Sequence, residues 1–362
     1  MRIAIFSRTF DGVPGGVEKM VLTLASELKK LNHTVLVISI DSPTAQAFYE
    51  WPVGVIWEKV SLGNPDFKAS FRTRINRVMA IRRILKHNQI ESVVGFQIGA
   101  FALVRLAGFG LGIHTVAAER NAPTLFSFIH NGKMIKLLAN ALLLSSSCIT
   151  VQMSSYIKMY PKFLRHKIYC TPNPIFPAAH VKSKSTETNE LIKILYIGRL
   201  TYQKNLKTLI LAIKESGVKI ELTIVGNGPD KQQLQQIAKE NCVQVNFYNA
   251  TSELSSYYLS ADFFCIPSRW EGFPNVVGEA LAHGLPVIAF KGCSGMSDLI
   301  ESDRNGLLAE GNDDFLSLAN AIQTASNKLW DPTDSIKSIE TYSIKNFTKQ
   351  WTLAISPKNV RI

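Results

Sequence analysis

Cysteine is scarce and scattered in this chain. Cys148, Cys170, Cys242, Cys265 and Cys293 form no C-x-x-C pair and have no histidine cluster nearby, which argues against a zinc site and against a disulfide framework. A reducing cytoplasm suits such a sequence. No Asp-x-Asp metal-binding triplet occurs anywhere. No export is expected either: Met1-Arg2 runs straight into Ile3-Ala4-Ile5-Phe6, and Gly12, Pro14, Gly15 and Gly16 follow too soon for an apolar core and cleavage site. The longest uncharged stretch, Leu137 to Ile157, is diluted by Ser145-Ser146-Ser147, Gln152 and Ser154-Ser155. It reads as a buried helix leading into a strand at Cys148 to Val151, not as a membrane span.

Acidic residues are few in one half only. Residues 1–180 hold 21 basic and 9 acidic side chains, whereas 181–362 hold 19 of each, so the whole formal charge of +12 lies in the first half. That half is a candidate for an anionic surface, and nucleic acid and acidic lipid both fit on charge alone. With 362 residues, 46% of them apolar and 19% charged, the chain has ample material for buried cores and divides by default into two domains; disorder, collagen-like repeats and a coiled coil are excluded.

What is present is an alternation of short apolar runs and helical stretches. Ile3 to Phe6, a helix from about Val17 to Leu31, and Thr34 to Ile40 make a β-α-β unit, which implies a parallel sheet with crossover helices. Further strands are expected at Ser92 to Phe96, His114 to Ala118, Cys148 to Val151 and Lys167 to Cys170. Thr171-Pro172-Asn173-Pro174-Ile175-Phe176-Pro177, followed by the polar Lys182 to Glu190, has the composition of a linker, with a boundary near 180. A second series follows: strands at Lys193 to Ile197, Ile220 to Val225, Val243 to Phe247, Phe263 to Ile266 and Pro286 to Phe290, with helices from about Asn205 to Ser216, Lys231 to Lys239 and Asn275 to His283. The expected fold class is α/β, two Rossmann-like domains at 1–180 and 181–340 facing across a cleft, with a helical tail at 341–362 that could pack back on the first.

Three stretches at strand ends carry chemistry. Gly198-Arg199-Leu200 with Lys204-Asn205 places two cations at a strand-to-helix turn, where backbone N–H groups and the positive helix end favour an anion. A diphosphate suits the pair, and surface cations on an ordinary loop are the competing reading. Gly226-Asn227-Gly228-Pro229 occupies the same topological position and is by itself more often structural. Glu271-Gly272-Phe273-Pro274-Asn275-Val276-Val277-Gly278-Glu279 sets one acid in a loop and another about a turn into the next helix, so that both can point toward one sheet edge.

Taken in order, Gly15-Gly16-Val17-Glu18, Gly198-Arg199 with Lys204-Asn205, Gly226-Asn227-Gly228-Pro229, Pro267-Ser268-Arg269 and Glu271 through Glu279 resemble the retaining glycosyltransferases of family four, which have the GT-B fold. The resemblance spans almost the whole chain. It implies that Arg199 and Lys204 bind the diphosphate of a nucleoside-diphosphate sugar, UDP- or GDP-linked, and that Glu279 holds the ribose hydroxyls. Glu271 then lies near the hydroxyls of the transferred hexose or N-acetylhexosamine, beside the Gly272-Phe273-Pro274-Asn275 backbone. Gly226 and Asn227 fall in the donor site, and Gly15 and Gly16 in a loop closing toward the phosphates. Many relatives place a His where Glu119-Arg120-Asn121 stands, whereas a bacterial surface-polysaccharide branch has Glu-Arg-Asn. Arg120 is therefore expected to neutralise the departing phosphate or position the acceptor, with a structural salt bridge as its alternative. Cations and N–H dipoles aimed at the leaving diphosphate stabilise the transition state, and neither a metal nor another cofactor is expected. Retention by same-face departure and attack is favoured over a covalent intermediate on Glu271.

Between Asp66 and Glu91 there is no acid, while Lys68, Arg72, Arg74, Arg77, Arg82, Arg83 and Lys86 fall in that interval and Phe67, Phe71, Ile75, Val78, Ile81 and Leu85 recur at spacings of three and four. This is a basic amphipathic helix whose stripe is expected to pack inward and whose cations face an anionic bilayer. The expectation is a cytoplasmic enzyme held peripherally at the inner membrane face, where a glycan acceptor on a polyprenyl diphosphate is presented. A soluble sugar acceptor is the alternative. Nucleic-acid binding has no zinc-finger, helix-turn-helix or RNP-type pattern to support it, and Gly12-Val13-Pro14-Gly15-Gly16 lacks the G-x-G-x-x-G spacing of a dinucleotide-dependent oxidoreductase.

Overall fold

A computed structural model describes residues 1–64, 67, 69–184 and 190–357. Asp66 and Lys68 of the basic interval, 185–189 of the expected linker and 358–362 of the tail lie outside the described residues. Contacts divide the chain into two units, Met1–Asn173 with Lys345–Ile362, and Pro174–Ile344. The chain passes into the second unit within the Pro-rich run, a few residues before 180.

Unit 1 is built on a parallel seven-stranded sheet of order β3-β2-β1-β4-β5-β6-β7. Its strands are β1 (Arg2–Phe6), β2 (Thr34–Ser39), β3 (Ile56–Lys59), β4 (Ser92–Phe96), β5 (His114–Ala118), β6 (Cys148–Val151) and β7 (Ile168–Cys170). The inner strands are continuous apolar or β-branched runs, as a sheet covered on both faces requires, and β1, β4 and β5 are buried almost throughout. The edge strand β3, Ile-Trp-Glu-Lys, is at most half-buried, and its mixed composition gives no strand signal in the sequence.

The helices are α1 (Gly16–Lys30), α2 (Phe71–His87), α3 (Ile98–Ala107), α4 (Gly132–Leu144) and the short α5 (Lys162–Arg165). Right-handed crossovers place α1, which connects β1 to β2, on one face of the sheet. The crossovers through α2, α3 and α4 run the opposite way across the sheet order, so these three helices form one layer on the other face. Cations join that layer. Arg82 Nη1 donates to Ala107 O (2.9 Å) and Phe109 O (2.6 Å) at the end of α3, and Arg105 Nε donates to Ser145 O (2.9 Å) at the end of α4. Both satisfy carbonyls that a helix C-terminus leaves open.

Two expectations about this layer are corrected. In α2 only Arg77, Ile81 and Leu85 are buried, while Phe71 and Ile75 from the supposed inner stripe are exposed, as is Phe67 before the helix. Arg77, expected among the solvated cations, is buried and donates through Nε to Leu62 O at 2.7 Å. The second correction concerns α4, which is not a buried helix: Gly132, Ala139 and Leu143 are buried, but Leu137 is 70% and Leu138 64% exposed.

Unit 2 has a parallel six-stranded sheet of order β10-β9-β8-β11-β12-β13. Its strands are β8 (Ile192–Ile197), β9 (Ile220–Val225), β10 (Gln244–Tyr248), β11 (Phe263–Ile266), β12 (Val287–Phe290) and β13 (Gly306–Ala309), the last without a signal in the sequence. The helices are α6 (Leu206–Glu215), α7 (Lys231–Glu240), α8 (Ser255–Ser260), α9 (Asn275–Ala282), α10 (Met296–Leu299), α11 (Phe315–Ser326) and α12 (Pro332–Ser338). The strand order reverses direction between β8 and β11 here, and between β1 and β4 in unit 1. In such sheets ligands bind beyond the strand ends at these reversal points.

The last helix, α13 (Ile344–Ile355), packs on unit 1. Trp351 stacks on Phe96 with ring centroids 5.6 Å apart, His114 Nε2 lies 2.9 Å from Ala354 O, and Thr348 Oγ1 donates to Glu27 Oε2 at 3.2 Å. Since Glu27 is on α1, α13 covers the α1 face and leaves the α2–α3–α4 layer on the opposite side.

Candidate active site

The loops that follow β8, β9 and β11 hold the expected donor residues at the strand-reversal edge of unit 2. The loops after β8 and β9 are stitched together: Gly198 N donates to Val225 O (3.0 Å) and Leu200 N to Asn227 O (2.9 Å). A Cβ on Gly226 would sit 1.9 Å from Gly198 O, and one on Gly228 2.2 Å from Leu200 O. These glycines permit backbone-to-backbone contact, which is the structural reading of Gly226-Asn227-Gly228.

Arg199 is exposed at the end of β8, and its carbonyl accepts from the buried Tyr196 hydroxyl at 3.0 Å. Burial holds the Tyr196 phenol well above its ordinary range, with Glu271 pushing the same way and Arg199 opposing, so both charges act on one hydroxyl. Lys204 Nζ lies 2.6 Å from Glu271 Oε1, with only 13% and 7% of the two side chains exposed. The sequence aims Lys204 at a diphosphate; in the structure its ammonium is met first by the loop acid. Cys293, on the loop after β12, adjoins this pair, and burial pushes its thiol far up, which disfavours a nucleophilic thiolate.

The turn carrying Lys204 is fixed by a residue that the sequence does not point to. Asp313 accepts from Asn205 Nδ2 (2.8 Å), Thr208 Oγ1 (2.8 Å) and Arg269 Nη2 (2.9 Å to Oδ2), and Arg269 lies over the Tyr202 ring at 4.1 Å. Burial alone would raise the Asp313 carboxyl, but the hydrogen bonds from Thr208, Arg269 and Asn205 outweigh it and hold the carboxyl low. Asn205 has φ +56°, a left-handed conformation that Asn tolerates, and its Nδ2 also reaches Pro267 O at 3.2 Å. The loops bearing Lys204 and Glu271 are thus one hydrogen-bonded body: Arg269 N donates to Gln203 O (2.9 Å) and Gln203 Nε2 to Trp270 O (2.7 Å).

Glu279 is half-buried on α9 and accepts from Tyr258 OH at 2.9 Å. Burial and then Glu279 itself push the Tyr258 phenol up, and Tyr258 stacks on His283 with centroids 4.7 Å apart. Gly272 and Asn275 are half-buried around the start of α9, and Pro274 is buried there. Phe273 turns inward, its ring 5.9 Å from that of Tyr342, and its carbonyl accepts from Asn275 N at 3.0 Å.

In unit 1, Gly15 caps α1 and Gly16 begins it, and a Cβ on Gly15 would meet Glu18 Oε2 at 1.9 Å. Burial raises the Glu18 carboxyl, and the nearby Asp41 adds to the rise. A cavity of about 450 Å3 lies beside this loop, lined by Thr9, Asp11, Asp41, Ser42, Ser61 and Asn64 among others. Nothing in the sequence singles it out.

Arg120, expected at a departing phosphate or the acceptor, lies inside unit 1. It is 6% exposed and donates to Thr150 Oγ1 (2.5 Å), Thr171 Oγ1 (2.9 Å) and Thr171 O (3.1 Å). Its guanidinium lies 5.1 Å from the Trp351 ring and 5.5 Å from that of Phe96. Directly after β5, the side chain turns into unit 1 and ties β6 and α13 together instead of standing open to a phosphate. Its neighbour Glu119 is buried with Oε1 lacking a hydrogen-bond partner. Among the described residues, no group of three or more His, Cys, Asp or Glu could hold a metal ion.

Residues 179–334 match the family described as Glycosyl transferases group 1, and residues 14–145 match Glycosyltransferase Family 4. The chain belongs to the family 4 glycosyltransferases. A relative from Campylobacter jejuni, named "GalNAc-alpha-(1->4)-GalNAc-alpha-(1->3)-diNAcBac-PP-undecaprenol alpha-1,4-N-acetyl-D-galactosaminyltransferase", is 25% identical over 90% of this chain and 89% of its own. The amylovoran biosynthesis glycosyltransferase AmsD of Erwinia amylovora is 26% identical over 86% of this chain and 88% of its own. Among solved structures, the lipopolysaccharide outer core galactosyltransferase WaaB in its apo form superposes with a TM-score of 0.80 at 18% identity, covering 98% of this chain and 99% of WaaB. HepE of Anabaena in complex with UDP and glucose gives a TM-score of 0.75 at 17% identity, covering 99% of this chain and 100% of HepE. The fold is GT-B, and the protein is a glycosyltransferase of the bacterial polysaccharide and glycolipid type.

Proposed function

We propose that this glycosyltransferase moves a hexose or N-acetylhexosamine, with retention, from a UDP- or GDP-sugar to a glycan carried on a polyprenyl diphosphate at the inner face of the cytoplasmic membrane. The observation that carries the donor part is the Lys204–Glu271 pair beside the exposed Arg199 at the strand-reversal edge of unit 2. A sugar nucleotide is the ligand whose parts match this set, with anionic phosphates for Arg199 and Lys204, sugar hydroxyls for Glu271 and ribose hydroxyls for Glu279.

In the proposed reaction the C1–O bond to the diphosphate breaks, its electron pair leaves with the nucleoside diphosphate, and an acceptor hydroxyl oxygen bonds to C1 on the same face. A donor phosphate oxygen takes the hydroxyl proton, so no protein base is required. Arg199 and Lys204 act on charge that grows in the transition state, where positioned cations count most. The acceptor part is supported by relatives whose names refer to a glycan on PP-undecaprenol, to amylovoran biosynthesis and to a monoglucosyldiacylglycerol. No helix among the described residues is long and apolar enough to cross a membrane, so the reading takes contact with the bilayer to be peripheral.

The experiment is a hydrolysis screen of the purified chain against UDP- and GDP-linked hexoses and N-acetylhexosamines, followed by transfer to an undecaprenyl-diphosphate-linked sugar, with retention read by NMR of the product's anomeric proton. One donor should stand out. Failure to hydrolyse or bind any of them sinks the reading.

A further inference from the structure

We propose that the α2–α3–α4 layer of unit 1 is the face that lies on an anionic phospholipid bilayer, with the outward side of α4 entering the headgroup region. This deepens the reading above, on which it rests only for the reason a membrane would be needed.

The helix α4 is apolar on two sides. Its inner stripe, Gly132, Ala139 and Leu143, is buried against unit 1. Its outer side carries Met134, Ile135, Leu137, Leu138 and Leu144, all exposed. Met134, Leu137, Leu138, Ala141 and Leu144 follow the three-and-four spacing of one helix face, so the exposed side chains form a stripe and are not scattered. A single exposed leucine is ordinary on a soluble protein, but a contiguous row on one helix marks an interaction surface. With thirteen residues α4 is too short to span a bilayer. It has the two-sided composition of a helix that lies along an interface.

Charge selects the occupant. The three helices together hold nine Lys and Arg and no Asp or Glu. Arg77 is buried, and Arg82 and Arg105 are engaged with carbonyls, which leaves Arg72, Arg74, Arg83, Lys86, Lys133 and Lys136 for whatever meets the layer. Phe71, Ile75 and Met79 add exposed apolar groups among the α2 cations. By contrast α1, on the opposite face, carries Glu18 and Glu27 beside Lys19, Lys29 and Lys30. Aliphatic side chains flanked by cations, without an acid, match acyl chains beneath anionic headgroups. A nucleic acid would meet the cations but leave the leucines unsatisfied, and α4 has no aromatic side chain on which a base would stack.

The test uses the full chain with vesicles of phosphatidylcholine alone and of phosphatidylcholine mixed with phosphatidylglycerol. The wild type should co-sediment with the anionic vesicles and release as salt rises. Leu137→Glu combined with Leu138→Glu should weaken binding by roughly tenfold or more, while melting temperature and donor hydrolysis stay at the wild-type level. Leu138→Trp supplies a second readout that survives if the double variant misfolds. Its fluorescence should shift to the blue and be quenched by brominated lipid, whereas Val53→Trp, exposed elsewhere on unit 1, should do neither. Equal binding of wild type and double variant, no binding to either vesicle, or an unshifted signal from Leu138→Trp would each overturn the proposal, the second outcome pointing to a protein partner. Donor hydrolysis without vesicle binding rejects this surface and spares the transferase reading; vesicle binding without hydrolysis of any donor does the reverse.

Discussion

Lys204 and Glu271 neutralise each other across 2.6 Å in a nearly closed setting, so the proposed phosphate-binding cation is already satisfied before any donor arrives. A diphosphate reaching Lys204 must share it with the carboxylate. Removing one partner of such a pair leaves the other charge stranded, at a cost of about 3–5 kcal/mol where burial is complete.

An asymmetry between two variants follows. Lys204→Ala should lose stability, and its affinity for UDP should fall. Glu271→Gln frees the ammonium for the diphosphate, so UDP affinity should be kept or tightened while transfer falls by roughly a hundredfold, the sugar having lost its acid. Calorimetric titration with UDP beside turnover checks this. A Glu271→Gln protein that binds UDP more weakly than Lys204→Ala contradicts the arrangement.

Arg199 has a different setting. It is exposed, and its loss should leave the melting temperature nearly unchanged. Arg199→Ala should cost about 3 kcal/mol in the barrier, on the order of a hundredfold in kcat, by the magnitude of lost oxyanion donors. Because the proposed charge neutralisation uses Arg199 and Lys204, wild-type turnover should persist in EDTA. Abolition by EDTA and rescue by magnesium would reject that assignment.

Glu119 sets a pH dependence of stability. Burial pushes its carboxyl up from 4.5 to about 7, with the Arg120 guanidinium pulling the other way. Between these two values the folded chain keeps a proton that the unfolded chain releases. Folding therefore weakens as pH rises through that window, by about 1.4 kcal/mol per unit at most. Glu119→Gln should remove this slope and be the more stable protein above the window, as measured by urea denaturation at a series of pH values. A steeper slope in the variant would count against it.

Gln97 follows β4 at the strand-reversal edge of unit 1 with φ +71° and ψ 154°, a region that residues with a side chain avoid. Relief of that strain by Gln97→Gly should stabilise the chain by about 1 kcal/mol or more, and turnover should fall if the strain aims the exposed amide at a substrate. Thermal denaturation and kinetics on the same sample decide, and a lowered melting temperature refutes the strain.

The βα alternation is legible in the sequence because buried parallel strands are nearly uninterrupted apolar runs. β3 and β13 escape notice, since Ile-Trp-Glu-Lys and Gly-Leu-Leu-Ala carry little alternation or length. At the site, Arg199, Lys204, Glu271 and Glu279 declare themselves by residue type and by position after strands. Asp313 does not, because its partners Asn205 and Thr208 are separated from it by 108 and 105 positions in the chain. Composition tells that α4 is apolar, but only the topology shows that the sheet covers one of its sides. Arg120 eludes the sequence for a related reason: a motif gives residue types, not whether a side chain turns outward or into the core.

The seating of Trp351 against Phe96 and Arg120 makes the first unit discontinuous along the chain, which leaves it at Asn173 and rejoins it at Lys345. The opening half of the gene therefore does not by itself encode the whole of that body. A fragment ending at Asn173 would bare the ring of Phe96 and the underside of β5, and a premature stop just before α13 would injure the opposite end of the polypeptide from where it falls. Anyone dissecting the enzyme into pieces needs to graft the closing helix onto the opening one.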